Sequence, residues 1–468
     1  MLFNSFEFLL FFPTVTGIYF ALSSKRAKLW LLLVSSCFFY GFFIPKYLLI
    51  LFLLIGIDFF AGIQIEGSST QKRKKLFLVL SLLSNISILA YFKYFNFFIG
   101  NIQTVAQALH WNSSLKVLEI ILPIGLSFHT FQSMAYVLEV YFGRFKAERD
   151  LLTYAVYVLY FPQMVAGPIE RPQNIIPQLH VLPRFDRERL ITGLTLIVQG
   201  LFKKAVVADG LSEVIRIVFG NPGALGFVPT AMGMTAFAFQ IYCDFSGYSD
   251  IARGTSRILG IELMQNFNKP YFARSISEFW RRWHISLSTW FRDYLYIPLG
   301  GSRGGKWLTC FNLFLVFTVS GLWHGANWTF IVWGALHGLY LINENLVLKP
   351  LGMERWSKAV SRLYVFVLVV VAWVFFRAKD MANAWSVLSG LFVDPFQGLT
   401  KITANQYAEA IILIAGLVLV ESLDERGFGW SWIRRQATIP RMAICWMIVW
   451  IFLFMAQFPG TQFIYFQF

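Results

Sequence analysis

Charge is what this sequence has least of. Only 14% of its residues are Asp, Glu, Lys or Arg, where an ordinary soluble domain carries about a quarter, and 57% are hydrophobic. No segment is polar enough, for long enough, to form a soluble domain. The net charge of +15 therefore gives no ground for a nucleic-acid partner. In a membrane protein it reflects Lys and Arg collecting in cytoplasmic loops against anionic lipid. Cysteine is scarce too: Cys37, Cys243, Cys310 and Cys445 stand singly in apolar surroundings, which excludes a disulfide framework and a Cys-rich zinc site. The N-terminal stretch lacks a basic segment and a small-residue cleavage site, so a retained first helix is expected rather than a signal peptide.

Several catalytic signatures are missing as well. There is no Walker loop and no HExxH, and no histidine is followed five residues later by Asp. Gly125-Leu-Ser127-Phe-His129 only approaches the Gly-x-Ser-x-Gly nucleophile elbow. The carboxylate or Cys spacing that would complete a His-based metal site is not present, so no metal is expected. No period of 20 to 50 residues recurs, which excludes a solenoid.

What the chain does have is long apolar runs. About 20 such residues cross a bilayer, and windows of that kind lie near 6–22, 29–44, 46–63, 76–93, 115–131, 151–166, 190–219, 226–244, 308–323, 327–347, 362–377, 407–421 and 441–458. Several are short or split by Gly and Pro. The expectation is an all-α polytopic protein with about ten to twelve helices, some broken or re-entrant where protein or water covers the freed backbone groups. Residues 1–468 then form one membrane domain. The basic loops SSKRAK (23–28) and TQKRKK (70–75) flank a nearly neutral turn, which puts the N-terminus outside.

The longest polar interval runs from Asp250 to Lys306. Within it, residues 275–296 place Ile276, Trp280, Trp283, Leu287, Trp290 and Tyr294 on one helical face. This predicts a single amphipathic helix, rich in Trp and Arg, at the membrane interface.

Six histidines remain to be weighed. His110 and His180 fall in loops and need no special account. His129 follows a helix-breaking Pro and Gly and reads best as packing. His284 lies at the edge of the amphipathic stripe, with Trp280 and Ser288 as its i±4 neighbours. His324 is the sharpest candidate. Ser320, Gly321 and Gly325 surround it, and such small neighbours admit a substrate or another backbone to the imidazole. An ionisable side chain in an apolar membrane segment is a site by default. His337 lies 13 residues on and would face another side of one continuous helix, so a joint site requires a break near 325–327. Desolvation keeps a buried imidazole neutral and therefore able to act as a base toward an acceptor hydroxyl in a water-poor cleft.

Six stretches, GLWHG (321–325), WGALHG (333–338), QIYCDFSGYSDIA (240–252), NFNKPYFARSISEFWRRWHISLSTWFRDYLYIPLGG (266–301), PIGLSFHTFQSMAYVLEVY (123–141) and YFPQMVAGPIERP (160–172), resemble the membrane-bound O-acyltransferases. More narrowly, they are similar to the bacterial alginate O-acetyltransferase branch. The resemblance runs from about residue 1 to 350, with the core motifs in 120–347. Residues 360–460 match mainly as further membrane helices. It implies about eleven transmembrane helices with re-entrant and interfacial helices around a central funnel. It matches His324 to the family's invariant histidine and His284 to its second motif position, with His324 expected as the essential base or the residue that relays acetyl and His284 as orienting or polarising the thioester carbonyl. The donor implied is cytoplasmic acetyl-CoA, with no permanently bound cofactor. Periplasmic acetyltransferase or esterase-like partners would complete transfer to a polysaccharide, from the inner membrane. Arg281 and Arg282, with Arg292 nearby, become candidates for the CoA phosphates, although lipid phosphates would suit them equally. Asp244, Tyr248 and Asp250 form a polar cluster. The family carries an aromatic residue where His129 stands, so no role transfers there. D-alanyl transfer to teichoic acid within the same family, and a transporter or flippase outside it, are the alternative readings.

Overall fold

The computed structural model describes residues 1–42, 44–111, 115–118, 123, 125–164 and 167–455. Every regular element among them is helical. Two compact units emerge, Met1–Asp186 with Thr255–Met264, and Arg187–Gly254 with Gln265–Phe468.

The first unit holds α1 (Phe6–Ala21), α2 (Lys25–Gly41), α3 (Leu48–Gly67), α4 (Gln71–Leu89), α5 (Phe95–Ala108), α6 (Leu126–Tyr141), α7 (Leu151–Leu159) and α8 (Pro172–His180). α4 and α5 run on through a π-helical turn at Ala90–Tyr94. α3, α4 and α6 pack together. The α3–α4 contact is keyed by buried Asp58, which accepts hydrogen bonds from Ser81 Oγ (2.6 Å) and Asn85 Nδ2 (3.0 Å). His129, on α6, is buried and donates Nδ1–H to the Val158 carbonyl at 3.1 Å, a packing arrangement. His180 meets Glu148 at 2.7 Å.

The second unit contains α9 (Arg187–Leu201), α10 (Ser212–Gly220), most of α11 (Phe227–Ile258), α12 (Ile276–Arg282), α13 (Ile285–Phe291), α14 (Gly305–His324), α15 (Trp328–Asn343), α16 (Lys358–Arg377), α17 (Met381–Ser389), α18 (Ala404–Glu425), α19 (Trp430–Arg435) and α20 (Thr438–Met455). α9 and α11 cross where glycines meet: a Cβ on Gly200 would lie 2.4 Å from the Gly247 carbonyl oxygen, and one on Gly254 2.5 Å from that of Gly193. Beside this crossing, on the π-helical segment Phe202–Ala208, Lys204 pairs with Asp209 and Asp244, both at 2.8 Å, and Lys203 pairs with Asp250 at 2.8 Å. These charges are buried, and buried charges need such partners.

Among the described residues, six helical stretches are long and apolar enough to cross a bilayer: Pro45–Gly67, Gln71–Ala108, Arg187–Gly220, Gly305–His324, Lys358–Arg377 and Ala404–Glu425. The protein is multi-pass. The expected window at 115–131 falls partly outside the described residues, and its described part becomes helical only at Leu126. The ends of the windows at 151–166 and 441–458 also lie outside them.

Candidate active site

The predicted single helix across 275–296 is two short helices, and the break falls at His284. The backbone there has φ 42° and ψ 55°, the left-handed region that most side chains avoid. The cause lies 18 residues upstream. In an unbroken helix the Arg282 carbonyl would accept from Ser286 N–H. Instead it accepts from Asn268 N–H at 2.8 Å. Ile285 N–H turns to the Asn266 carbonyl at 2.9 Å, and Ser286 N–H to the Asn266 side-chain oxygen at 3.1 Å. Hydrophobic periodicity is blind to such diversion. The stripe itself is largely buried within the protein, including Trp280, Trp283, Leu287 and Trp290. Glu344 fixes the other end of α12 by accepting from Ile276 N–H (2.5 Å) and Ser277 N–H (3.3 Å).

α14 ends at His324. Gly325 leaves the helix in an extended conformation, and Asn327 caps α15 by accepting from Thr329 N–H at 3.2 Å. The break required for a joint site is thus present, and α14 and α15 fold back on each other. The small residues around His324 serve this contact: a Cβ on Gly321 would sit 2.2 Å from the Phe330 carbonyl oxygen, and one on Gly334 2.2 Å from that of Phe317. It is another backbone that approaches here.

This geometry brings the two histidine candidates together. The rings of His284 and His324 lie 6.4 Å apart between centroids, inclined at 62°. His284 is 0% exposed and His324 5%. Phe245 stands edge-on to His284 at 4.6 Å. Trp323, Trp333 and Phe376 surround His324 at 4.9, 5.1 and 5.4 Å. Trp333 continues to His337, 5.2 Å away, whose Nδ1 accepts the indole N–H of Trp280 at 3.3 Å. Burial pushes the His284 imidazole down to about 3, so it is neutral across the working pH range. An imidazole pair within aromatic walls can accept and return a proton while excluding water. A separate cleft of about 450 Å³, lined by Asn221, Lys379, Asp380 and Asn383, touches neither ring.

Residues 145–376 match the sequence profile of MBOAT, the membrane-bound O-acyltransferase family. The chain is 39% identical over 432 residues to the probable alginate O-acetylase AlgI of Azotobacter vinelandii, covering 90% of this chain and 83% of that protein. It is 38% identical over 405 residues to the AlgI protein of Pseudomonas aeruginosa, covering 84% and 75%. The peptidoglycan O-acetyltransferase of Helicobacter pylori is 37% identical over 392 residues, covering 78% and 73%. The chain belongs to the membrane-bound O-acyltransferase family. Within it the chain falls in the AlgI branch and is an O-acyltransferase.

Other residues of this O-acyltransferase fall outside the pair. Arg282 is engaged by Glu278 at 2.7 Å and Glu425 at 3.5 Å, which leaves less of its guanidinium for a phosphate. Arg281 is exposed, and Arg292 pairs with Asp293 at 2.8 Å. Asp244 and Asp250 are tied to Lys204 and Lys203. Sequence reasoning missed these lysines, together with Asn266 and Trp333. The lysines had a signal, two adjacent cations inside an apolar run. Asn266 had none of its own.

Proposed function

We propose that this O-acyltransferase moves acetyl groups from cytoplasmic acetyl-CoA for the O-acetylation of a surface polysaccharide. The family and the names of its relatives support this reading, and the observation that carries the chemistry is the buried His324–His284 pair. His324 is the essential base, and His284 orients the reacting groups beside it. The acceptor hydroxyl gives its proton to His324 as its oxygen bonds to the thioester carbonyl carbon. The carbon–sulfur bond breaks, and the leaving thiolate takes that proton from the imidazolium. General-base assistance of this kind contributes roughly 10²–10⁴-fold. Both rings are buried, so their aromatic neighbours must move aside to admit reactants.

In this reading the protein sits in the bacterial inner membrane with its N-terminus on the periplasmic side. Esterase-like periplasmic partners complete transfer to the polymer, with alginate the acceptor suggested by the AlgI relatives. Arg281 is the residue best placed by exposure to meet the CoA phosphates. The test is acetyl transfer by the purified protein in nanodiscs with labelled acetyl-CoA, alongside mass analysis of surface polysaccharide from a strain lacking the chain. Loss of ester-linked acetyl mass in that strain, and loss of transfer in a folded His324→Ala protein, are expected. Full transfer by His324→Ala removes the assignment.

A further inference from the structure

We infer that Asn266 is a positioning residue that locks His284 in the tautomer protonated at Nδ1, so that the Nε2 lone pair meets the positive charge arriving on His324. This rests on the acyl-transfer reading above and assigns the electrostatic part that His284 plays in it.

The argument begins with an atom whose identity is fixed. One side-chain atom of Asn266 receives the backbone N–H of Ser286 at 3.1 Å and the Ser286 hydroxyl at 2.9 Å. A backbone N–H can only donate, so that atom is the amide oxygen and the side chain cannot be flipped. The same oxygen lies 3.2 Å from His284 Nδ1. An oxygen accepting here requires Nδ1 to carry the hydrogen, and a neutral imidazole has only one. Nε2 therefore bears the lone pair. Asn266 is 1% exposed, and its main-chain carbonyl also holds Ile285 at the break. One residue thus sets the backbone, orientation and tautomer of the histidine.

An imidazole so set cannot polarise a thioester carbonyl through Nε2, because that needs an N–H. The resemblance-based expectation of carbonyl polarisation is replaced by the opposite polarity. Nε2 points away from Asn266. His324 is a titratable group beside the ring, 6.4 Å away, and Phe245 and Phe267 also pack against it. In such apolar surroundings the negative end of a fixed dipole favours the protonated form of a nearby base more strongly than it would in water. Resting hydrogen bonds at a catalytic site commonly tighten only with reactants bound.

The test compares Asn266→Ala and Asn266→Asp in nanodiscs, each checked for folding by size exclusion and thermal unfolding. Asn266→Ala is expected to lower kcat by about tenfold or more with the acetyl-CoA KM within about twofold. Asn266→Asp still accepts from Nδ1–H and Ser286, and should restore most of kcat at alkaline pH. Its carboxylate favours the His284 imidazolium, so the acid limb of its pH profile moves to higher pH. A purely structural role predicts that Asp rescues no better than Ala at any pH, and that result overturns the proposal. So does an unchanged kcat in Asn266→Ala while His324→Ala is inactive. If His324→Ala itself keeps full activity, the acyl-transfer reading fails instead. Nitrogen-15 histidine spectra of the unsubstituted protein give a readout independent of the variants' folding. The His284 signals, identified by their loss in His284→Asn, should show protonation at Nδ1, and protonation at Nε2 overturns the inference.

Discussion

Trp280, on α12, donates its indole N–H to Nδ1 of His337, on α15, across 3.3 Å in a buried setting. The bond ties the short helix that ends at the His284 break to the hairpin that carries His324. His337 therefore serves as a structural acceptor. His337→Leu leaves a buried N–H unpaired and should lower unfolding stability by about 1–3 kcal/mol. Thermal unfolding in detergent checks this, and the loss of acetyl transfer should be smaller than in His324→Ala.

The low proton affinity of His284 has a consequence for acid stability. An unfolded chain returns the imidazole to its ordinary value near 6.5, whereas burial holds the folded one at about 3. Between these values the unfolded state binds the extra proton. The contribution to stability is present above about pH 6.5 and is lost as pH falls toward 3, at up to about 1.4 kcal/mol per pH unit. Unfolding midpoints from pH 8 to pH 4 should fall less steeply in His284→Asn than in the unsubstituted protein. Equal slopes would contradict this origin.

Lys204 pairs with two buried carboxylates, Asp209 and Asp244. Lys204→Met removes this cation from both and should cost about 3–5 kcal/mol. Adding Asp244→Asn should recover part of the loss. If the single variant unfolds like the unsubstituted protein, the ion pairs do not hold the α9–α11 crossing.

The α14–α15 contact leaves no room for a methyl at Gly321. Gly321→Ala should destabilise by about 1–3 kcal/mol or more and lower the yield of folded protein. Gly17 on α1 has no neighbour within 4 Å of a built Cβ, so Gly17→Ala is the matched control. It should be neutral or stabilising by up to about 1 kcal/mol.

Much of this was legible in the sequence because apolar length is a local property. The windows near 46–63, 190–219, 308–323, 362–377 and 407–421 correspond to spanning helices. His324 could be found because an imidazole among Gly, Trp and Leu has no reason to be there except packing or chemistry. The break at His284 was hidden because it is made by residues 266–268, and the Trp stripe around it reads the same whether it faces lipid or protein. The glycines beside His324 left two explanations open, and only the position of α15 decides between them. Lys203 and Lys204 are ordinary basic residues until Asp209, Asp244 and Asp250 are seen beside them.

The positive φ at position 284 determines what a mutant at this site can mean. Asparagine and glycine adopt such a main-chain geometry with little penalty, whereas alanine or a β-branched replacement would force the chain to relax. An inactive His284→Ala protein would therefore mix lost chemistry with a moved loop. His284→Asn, which removes the ring and keeps the bend, is the substitution from which the contribution of the imidazole alone can be read.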